Sequence, residues 1–465
     1  MPIFIYNSLT KKKEEFIPLK SPRVNIYTCG VTVYDESHIG HARSLYIFDL
    51  IRRYLEFRKF KVRFVRNITD IDDKIINRAN ELKVNWRELA GKYIKSYYKD
   101  LKSLKIRKGD FEPRATASIP KMIKYILKLI EKGYAYQAGN DVYFYVRKFN
   151  GYGKLSGQSI EEMRSAERIG ANELKKDSLD FVLWKGPKDN EPYWHSPFGP
   201  GRPGWHIECS VMSQAFLKSK TLDIHAGGRD LIFPHHENEI AQSESFTGKP
   251  FAKYWIHHGL LTMNGQKMSK SSGNFITIKD FILKYGDSDL LKIFFLFTHY
   301  SHPIDYTEEK ILEARAAKER VLAFLKKSKP SLRQRYLFFC KGPNKLNKIR
   351  DKFIEKLNDD FNTPEAFSCL FEAVSIGNKN TEDRGLAAEA YFLVLEMAKI
   401  LGLSLKPPRK KIKVTDRQVR AQIRLRDFAR KDKDYLLADK IRKELEEEGV
   451  ILEDLKNGST VWRRV

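Results

Sequence analysis

A strand–loop–helix–strand pattern in the first 70 residues constrains the fold more than any other feature. Arg23–Cys29 is rich in β-forming residues, and Ala42–Phe57 places its apolar residues at helical spacing. Phe60–Asn67 then alternates apolar and polar residues as a second strand does. A strand, a helix and a strand within about 45 residues form a βαβ unit, whose strands lie parallel in one sheet. We therefore expect an α/β fold with a Rossmann-type parallel sheet.

The loop between the first strand and the helix carries the sequence His38-Ile39-Gly40-His41. Backbone N–H groups at the start of a helix, together with the helix dipole, favour a bound phosphate at this place. Two histidines on a first helical turn can also be an ordinary polar cap. The position after the first strand of a βαβ unit favours a nucleotide site, but these residues alone do not decide between the two.

Length and composition indicate a multidomain protein without a membrane span. The chain has 465 residues, of which 42% are hydrophobic, enough for about two to four domains. No run approaches the roughly 18 apolar residues that a membrane helix needs. In Met1–Lys13 the lysines follow a short apolar stretch, which is the wrong order for a secretory signal. We expect a cytoplasmic protein with no membrane partner.

Four scattered cysteines without CxxC spacing predict no disulfide, and Cys340 and Cys369 lie in apolar, core-like segments.

Changes in composition along the chain predict three domains. A Gly/Ser-rich segment at 151–159 indicates an inserted piece that contains strands, and Thr221–His225 and Tyr254–His258 are candidate strands returning to the sheet. The predicted organisation is a Rossmann-type domain at 1–305 with an inserted connective segment at about 110–200, a helical-bundle domain at 306–405, and a small C-terminal domain at 406–465 with a helix at Arg417–Glu447 and a hairpin-like end around Trp462.

A second short segment, Lys267–Ser271, reads Lys-Met-Ser-Lys-Ser and lies 226 residues after His41. A single lysine–serine loop is usually only solvated surface. Together with His38–His41, however, it resembles the paired signatures of class I aminoacyl-tRNA synthetases. That resemblance implies an enzyme that joins an amino-acid carboxylate to the α-phosphate of ATP and releases pyrophosphate.

The resemblance also implies a role for each signature residue. Gly40 lets the nucleotide approach the backbone, and His38 and His41 donate hydrogen bonds near the α-phosphate. Lys267 and Lys270 stabilise charge on the β- and γ-phosphates, and Lys270 also binds ATP. Mg²⁺ accompanies the nucleotide.

Four residues have side chains that can bind a metal, and the sequence around each one indicates where it lies in the fold. His235 and Glu239 are spaced i, i+4 on one face of a helix turn, although a polar helix face alone would explain this pair. Cys29 ends the first strand, and Cys209 follows the loop that feeds a helix starting near Trp205. These residues and the segments around them resemble the zinc site of cysteinyl-tRNA synthetases, and the resemblance covers nearly the whole chain. It implies one Zn²⁺ per chain, held by Cys29, Cys209, His235 and Glu239.

A zinc ion at these residues would account for selectivity for cysteine. A free cysteine thiol has a pKa of about 8.5, and coordination to zinc removes its proton. Zinc prefers this soft sulfur to the hydroxyl of serine, whereas a difference of one methylene in size is worth only about 1–3 kcal/mol. No segment of the chain resembles an editing domain, and this mechanism needs none. His206, His225 and His236 are expected to orient the metal ligands.

Further residues are assigned to the substrates by the resemblance. Trp205 walls the amino-acid pocket or simply packs in the core. The candidates for holding the amino and carboxylate groups are Tyr27, Thr69 and Asp70. Gly227 and Asp230 follow a predicted strand, where a plain tight turn would also account for them. In the family the corresponding residues face the nucleotide, so Asp230 is expected near the ribose.

A few positions depart from the family pattern. Ala117 and Ser118 stand where the family usually carries Glu and His, so the role of that pair is in doubt here. Phe198 replaces a usual Trp, and Ser272 replaces a usual Leu. The four metal positions and both signatures match the pattern.

The basic charge of the chain is consistent with an RNA partner. The net charge of +26 fits a polyanionic partner or a lysine-rich surface. Four arginines near the start of the helix expected at Arg417–Glu447 are either a solvated face or phosphate contacts: Arg417, Arg420, Arg424 and Arg426. By resemblance, 260–305 holds the signature loop and a stem-contact region, 306–405 binds tRNA, and 406–465 reads the anticodon. The implied partners are L-cysteine, ATP and tRNA(Cys), and nothing demands more than a monomer.

Two other functions fit parts of the sequence. A ligase that joins activated cysteine to a sugar amine would keep the zinc, the ATP and both signatures, but would lack the C-terminal RNA-binding domain. A relative that binds RNA without catalysis would not need His38, His41, Lys267 and Lys270 intact.

Overall fold

The computed structural model of the chain describes residues 1–166, 174–189, 191–268, 274–331, 346–380, 382–406, 416–432, 434–447, 450–454 and 460–464. The strands are β1 Phe4–Asn7, β2 Lys12–Glu15, β3 Arg23–Thr32, β4 Lys61–Thr69, β5 Ala135–Ala138, β6 Asp141–Phe144, β7 Phe181–Lys185, β8 Arg202–Pro203, β9 Leu222–Gly228, β10 Ala252–His258, β11 Leu261–Met263, β12 Gln266–Lys267, β13 Ile304–Tyr306, β14 Val450–Asp454 and β15 Thr460–Arg464. The helices are α1 Ile39–Phe57, α2 Asp73–Leu82, α3 Trp86–Leu104, α4 Ala115–Glu131, α5 Ile160–Ala166, α6 Trp205–Leu217, α7 Glu237–Thr247, α8 Ile278–Tyr285, α9 Ser288–Leu296, α10 Glu308–Lys327, α11 Asn347–Asn358, α12 Thr363–Lys379, α13 Arg384–Ile400, α14 Asp416–Lys431 and α15 Tyr435–Glu447. None of these helices is long and apolar enough to cross a membrane.

A four-stranded parallel sheet lies at the centre of the first 305 residues, in the order β10–β9–β3–β4. The unit β3–α1–β4 is the βαβ unit that the periodicity predicted, and β9 and β10 are the two predicted returning strands. Apolar residues of β3 and the inner face of α1 are buried together, because the strand and helix each offer one apolar face to the other.

Strand β3 differs from the prediction at its end. Cys29 does not end the strand, which continues to Thr32 through a register shift between Thr28 and Val31. The backbone at Gly30 lies so close to β4 that a Cβ there would be 1.6 Å from the carbonyl oxygen of Asn67. Only glycine allows this approach, and it leaves Cys29 at the irregularity in the strand.

The start of α1 is anchored by a buried guanidinium. Arg43 donates to the carbonyl oxygens of Gly259 and Leu260 at 2.8 and 2.9 Å, and to those of Tyr300 and His302 at 3.2 and 2.6 Å. Burial lowers the pKa of Arg43 to about 10, so the side chain stays charged at neutral pH. One side chain therefore joins the first helix to the segments that follow β10 and precede β13.

The inserted segment forms its own antiparallel sheet, in the order β5–β6–β7–β8. Its buried residues Phe144 and Trp184 belong to the same hydrophobic core as Tyr27 of β3 and Trp255 of β10. The insertion is thus packed onto the parallel sheet rather than standing apart from it. This confirms the predicted strand-containing insertion.

The residues after the sheet are helical, and the chain divides into two compact units. One comprises residues 1–282 and 288–405, and the other comprises 283–287 and 406–465. The described part of the first unit ends with the helices α10–α13, and this helical region agrees with the predicted pattern. Cys369 is buried in α12. Cys340 lies outside the described residues. The described cysteines Cys29, Cys209 and Cys369 are free thiols. The domain boundaries stay predictions.

The C-terminal unit corrects two predictions. The single helix expected at Arg417–Glu447 is the pair α14 and α15, because the Asp434 side chain accepts from the backbone N–H of Leu437 and starts a new helix. Arg426 is not on a solvated face but is buried, donating to both carboxylate oxygens of Asp454 at 2.9 and 2.7 Å. The hairpin-like end is confirmed as the antiparallel pair β14–β15, with Trp462 against the small core of this unit.

Candidate functional site

The predicted site residues converge at the carboxyl ends of the parallel strands. Cys29 lies near the end of β3, Thr69 ends β4, Gly227 and Gly228 end β9, and His258 ends β10. In open α/β sheets, ligands bind at this edge.

Four of the predicted donors form one compact cluster. The ligand atoms of Cys29, Cys209, His235 and Glu239 all lie within 4.8 Å of one another. Cys209, His235 and Glu239 are buried, and Cys29 is partly exposed. Two sulfurs, one imidazole nitrogen and one carboxylate oxygen at this spacing can hold a metal ion, and the donor set is compatible with zinc.

The chain brings these four donors together from separate elements. Cys29 comes from the irregular part of β3 and Cys209 from α6. His235 lies in the short π-type turn Ile232–His236, which passes directly into α7, where Glu239 occupies the first turn. The pair was predicted on one helix face. Phe233 has non-helical dihedral angles, so the turn is not regular helix, yet His235 Nε2 and Glu239 Oε1 are 2.9 Å apart.

Mutual charge overrides burial inside this cluster. Burial opposes the charged form of His235, but Glu239 and Cys209 raise its pKa to about 10. Burial likewise opposes the Glu239 carboxylate, but His225 and His235 lower its pKa to about 2. Burial raises the pKa of the Cys29 thiol, whereas hydrogen bonds from Cys29 and His235 lower that of Cys209 to about 6. Cys209 and Glu239 are thus anionic at neutral pH, whereas a metal that binds here would displace a proton from His235 and from Cys29.

The histidines around the cluster hold its members in place. His225 Nε2 lies 2.8 Å from Glu239 Oε2, His206 Nδ1 lies 3.0 Å from His235 Nδ1, and His236 Nε2 lies 3.3 Å from Cys29 Sγ. Cys29, His225, His236 and Glu239 form a second, overlapping set of donor atoms within 4.8 Å.

His257 was missed by the sequence reasoning. It lies in β10 and its Nε2 is 2.8 Å from His236 Nδ1. Burial lowers the pKa of His257 to about 3, so it is neutral and orients His236 without competing as a cation. The signal was available, because a pair of histidines at the end of a predicted strand falls on the same edge as the other site residues.

Trp205 covers one side of the cluster. Its ring stacks on His235 with centroids 4.2 Å apart and an interplanar angle of 27°, at the start of α6. The side chain is 39% exposed, so its position is a wall between the donors and solvent rather than the interior of the core.

The other two substrate-pocket candidates differ in their surroundings. Tyr27 is buried, and among the described residues its hydroxyl has no hydrogen-bond partner. The hydroxyl of Thr69 donates to Glu208 Oε2 at 2.6 Å and accepts from Asn67 Nδ2 at 3.2 Å. Asp70, also considered for the substrate, accepts from the backbone N–H of Thr116 at 2.9 Å near the start of α4. Of these three side chains, only that of Tyr27 has an uncommitted polar atom.

The first signature forms the cap of α1. The backbone N–H of Gly40 donates to His38 Nδ1 at 3.1 Å, and that of His38 donates to His41 Nδ1 at 3.2 Å. Burial lowers the pKa of His38 to about 4 and holds that of His41 well below its usual range, so both rings are neutral. Because each Nδ1 accepts, the ring proton is on Nε2, and both histidines present an N–H donor away from the helix.

The ends of the second signature lie against the first. A Cβ on Gly40 would lie 2.8 Å from the ring of His38 and 2.9 Å from Met268 Cε, so Met268 lies directly against the first signature. On the other side, the backbone N–H of Ile39 donates to the carbonyl oxygen of Ile276 at 3.1 Å. Lys267 lies in β12, and Lys270 and its neighbours at 269–273 lie outside the described residues.

The glycines at the end of β9 and the residues that follow them link the two parts of the site. A Cβ on Gly227 would be 2.7 Å from His236 Cε1, so glycine at this position lets His236 pack beneath the strand end. Asp230 is exposed, and its charge acts on His38 by partly opposing the lowering of that pKa. Asp230 thus faces the same space as the first signature.

Two family models match the chain. The model described as "tRNA synthetases class I (C) catalytic domain" covers residues 15–316, and the model described as "DALR domain" covers residues 352–406. Among solved structures, a Mycobacterium tuberculosis methionyl-tRNA synthetase in complex with methionyl-adenylate aligns with a TM-score of 0.59 at 15% identity, over 83% of this chain and 92% of that one. A leucyl enzyme (LeuRS) of Agrobacterium radiobacter K84 in a ternary complex aligns with a TM-score of 0.60 at 11% identity, over 84% and 85%. These structures establish the fold.

Curated relatives match the full length of the chain. A cysteine–tRNA ligase of Sulfurihydrogenibium sp. is 46% identical over 100% of both chains. A cysteine–tRNA ligase of Aquifex aeolicus is 45% identical over 100% of this chain and 99% of its own. The paired signatures and the class I catalytic model agree with these matches. This chain therefore belongs to the cysteine–tRNA ligase family of class I aminoacyl-tRNA synthetases.

Proposed function

We propose that the chain activates L-cysteine with ATP to cysteinyl-adenylate and pyrophosphate, and transfers cysteine to the 3′ end of tRNA(Cys). The observation that carries the proposal is the cluster of Cys29, Cys209, His235 and Glu239 at the carboxyl edge of the sheet. The fold and the paired signatures are shared by synthetases for several amino acids. The cluster supports cysteine as the amino acid.

Zn²⁺ is the proposed occupant of the cluster. The four donors offer sulfur, nitrogen and oxygen in a buried site, which suits zinc better than the hard cations Ca²⁺ and Mg²⁺. When bound, zinc would take the substrate sulfur as a thiolate, which serine cannot imitate. His225 and His236 would keep Glu239 and Cys29 turned toward the ion, and Trp205 would exclude water from the open side of His235.

The nucleotide is proposed to lie between the two signatures. His38 and His41 would donate their Nε2–H groups to oxygens of the α-phosphate while the cysteine carboxylate attacks it in line. Because both rings are neutral, they supply directed hydrogen bonds and no net charge. Lys267 and Lys270 are proposed to stabilise the leaving pyrophosphate with Mg²⁺, and Gly227 and Asp230 to bind the ribose side of ATP.

The acceptor is proposed to be tRNA. The net charge of +26 and the exposed Arg420 and Arg424 of α14 favour a polyanion. The C-terminal unit, 406–465, would read the anticodon, and the helices of 306–405 would bind the inner side of the tRNA. We propose that a monomer is sufficient.

Cysteine-dependent ATP–pyrophosphate exchange, followed by charging of a tRNA pool, tests this function. We expect exchange with cysteine and not with serine, and charging of tRNA(Cys) alone. Exchange without charging would contradict tRNA as acceptor and support the alternative ligase that uses a sugar amine. Absence of exchange in a folded, zinc-supplemented preparation would overturn the proposal as a whole.

A further inference from the structure

Two segments that lie about 80 residues apart in the sequence meet beside the cluster of Cys29, Cys209, His235 and Glu239 (the metal-type cluster). One is the Gly/Ser-rich turn Gly151–Ser156 of the inserted segment, and the other is the pair Glu237–Asn238 at the start of α7. The sequence singled out both segments, but neither has a role in the function proposed above. The two residues of α7 lie between His235 and Glu239 in the chain, so whatever holds them also holds these two donors.

The carboxylate of Glu237 is held by backbone N–H groups of the insertion. Its Oε2 accepts from the N–H of Leu155 at 3.1 Å and from that of Ser156 at 2.9 Å. The side chain is fully buried, and among the described residues its Oε1 has no hydrogen-bond partner. A buried carboxylate in such surroundings is costly, and an apolar side chain would pack there at lower cost. The residue therefore serves to fix a geometry rather than to add stability.

Two further contacts fix the same turn on α7. The hydroxyl of Tyr152 donates to Asn238 Oδ1 at 2.6 Å in a buried position, and Lys154 Nζ pairs with Glu244 Oε2 at 2.5 Å. Gly153 has a φ of +95°, and a Cβ there would lie 2.1 Å from the carbonyl oxygen of Gln158. The turn thus requires glycine to present its N–H groups to Glu237.

We propose that the insert clamp, made of Tyr152, Leu155 and Ser156 on one side and Glu237 and Asn238 on the other, sets the position of His235 and Glu239. A rotation of the first turn of α7 would carry both donors away from Cys29 and Cys209. Because the clamp holds α7 at two consecutive residues, it prevents that rotation. Glu237 and Asn238 are positioning residues, and the insertion determines the spacing of the metal donors. This inference rests on the proposed function, because its test measures the release of zinc and the KM for cysteine.

Full-length variants test the clamp. Tyr152→Phe removes one hydrogen bond, Glu237→Leu removes the acceptor for two, and Glu237→Gln keeps an acceptor oxygen. The control is Tyr136→Phe, because Tyr136 also donates a 2.6 Å hydrogen bond to a carboxylate, that of Asp180, within the same insertion but without touching α7. The measurements are the rate of zinc release to a chelator and the KM values for cysteine and ATP in pyrophosphate exchange.

Tyr152→Phe and Glu237→Leu are expected to release zinc about 10-fold faster and to raise the KM for cysteine about 10-fold, with the KM for ATP unchanged. Glu237→Gln and Tyr136→Phe are expected to stay near the parent chain. If folded Tyr152→Phe and Glu237→Leu match the parent in zinc release and in KM for cysteine, the clamp does not position the donors. Equal changes in both KM values, or in the Tyr136→Phe control, would also overturn the proposal, because they indicate general loosening.

Failure of the proposed function gives a different result. In that case the parent chain itself retains no zinc and shows no cysteine-dependent exchange. Amide hydrogen exchange in the metal-free protein then tests the proposed clamp. Faster exchange confined to the first turn of α7 in Glu237→Leu, and absent in Tyr136→Phe, supports the clamp, and unchanged exchange overturns it.

Discussion

Burial lowers the pKa of a histidine at two places in the site, but the neighbouring groups reverse this effect at only one of them. At the metal-type cluster, the pKa of His235 is raised to about 10, because Glu239 and Cys209 outweigh burial. At the cap of α1, the pKa of His38 is lowered to about 4, because only Asp230 opposes burial there. Both histidine rings are largely buried. The neighbours, and not the residue type or its depth, decide whether a histidine at this edge is protonated or neutral at pH 7.

The two regions also differ in how the chain builds them. The cap comes from four consecutive residues at the start of one helix, so its own hydrogen bonds are local. The cluster comes from four separate elements and needs the complete sheet and insertion. Variants that remove one region should therefore leave the other intact.

The largest expected effect is on the rate of adenylate formation. His41→Ala removes one Nε2–H donor near the α-phosphate and should slow cysteine-dependent exchange about 100-fold or more. The zinc content, measured by elemental analysis, should stay at the parent value. His38→Asn is the companion variant, because asparagine still caps a helix but lacks the Nε2–H group. It should lose rate with little change in Tm, and loss of zinc in either variant would contradict the independence of the two regions.

The next effect is on metal retention. Cys209→Ser replaces a soft sulfur with a poor ligand and should weaken zinc binding by at least about 10–100-fold, with a parallel rise in the KM for cysteine. The KM for ATP should change little, since the cap of α1 is untouched. Cys369→Ser, at a buried cysteine in the helical region, is the matched control and should keep its zinc. Unchanged zinc in Cys209→Ser would show that the ligand assignment is wrong.

A smaller effect is expected on the pH dependence of stability. The folded pKa of His38 is about 4, below the value of 6.5 for an unperturbed histidine. The unfolded chain therefore binds a proton first, so the contribution of His38 is fully present above pH 6.5 and is lost as the pH falls toward 4. We expect the parent chain to lose about 2 kcal/mol in unfolding free energy from this group by pH 4.5. Unfolding free energies from denaturant titrations at pH 7 and pH 4.5 should fall by about 2 kcal/mol more in the parent than in His38→Asn, and equal falls would contradict the lowered pKa.

The smallest effect is expected at the wall of the cluster. An aromatic pair such as Trp205 on His235 is worth about 0.5–1.5 kcal/mol, so Trp205→Ala should raise the KM for cysteine about 3–10-fold. Trp205→Phe keeps a ring for stacking and should stay near the parent. A larger loss of kcat than of substrate affinity in Trp205→Ala would show that the ring contributes to the chemical step rather than to the pocket.

Local patterns predicted the elements, and contacts between distant residues explain what the sequence could not reveal. The periodicity of Ala42–Phe57 and the runs at Thr221–His225 and Tyr254–His258 correspond to α1, β9 and β10. The continuation of β3 past Cys29 depends on the approach of Gly30 to Asn67, which no local pattern contains.

The same distinction holds for the site. The family resemblance identified the four metal donors in the sequence, and the structure places their ligand atoms in one cluster. The clamp residues Tyr152 and Glu237 were missed, because their partners lie about 80 residues away and share no periodicity with them. His257 was missed although it lies at the end of a predicted strand. Arg426 was assigned to a basic surface because its pairing with Asp454 forms only when the hairpin packs on α14.

The guanidinium of Arg43 has a consequence for the order of folding. Its four carbonyl partners lie 216 to 259 residues further along the chain. During synthesis, α1 and its histidine cap can form early, but the helix cannot take its final place until residue 302 has left the ribosome. Contacts at such separation form late because a long loop must close first. In a nascent chain, the motif that appears first in the sequence would thus be among the last parts of the site to become competent for nucleotide.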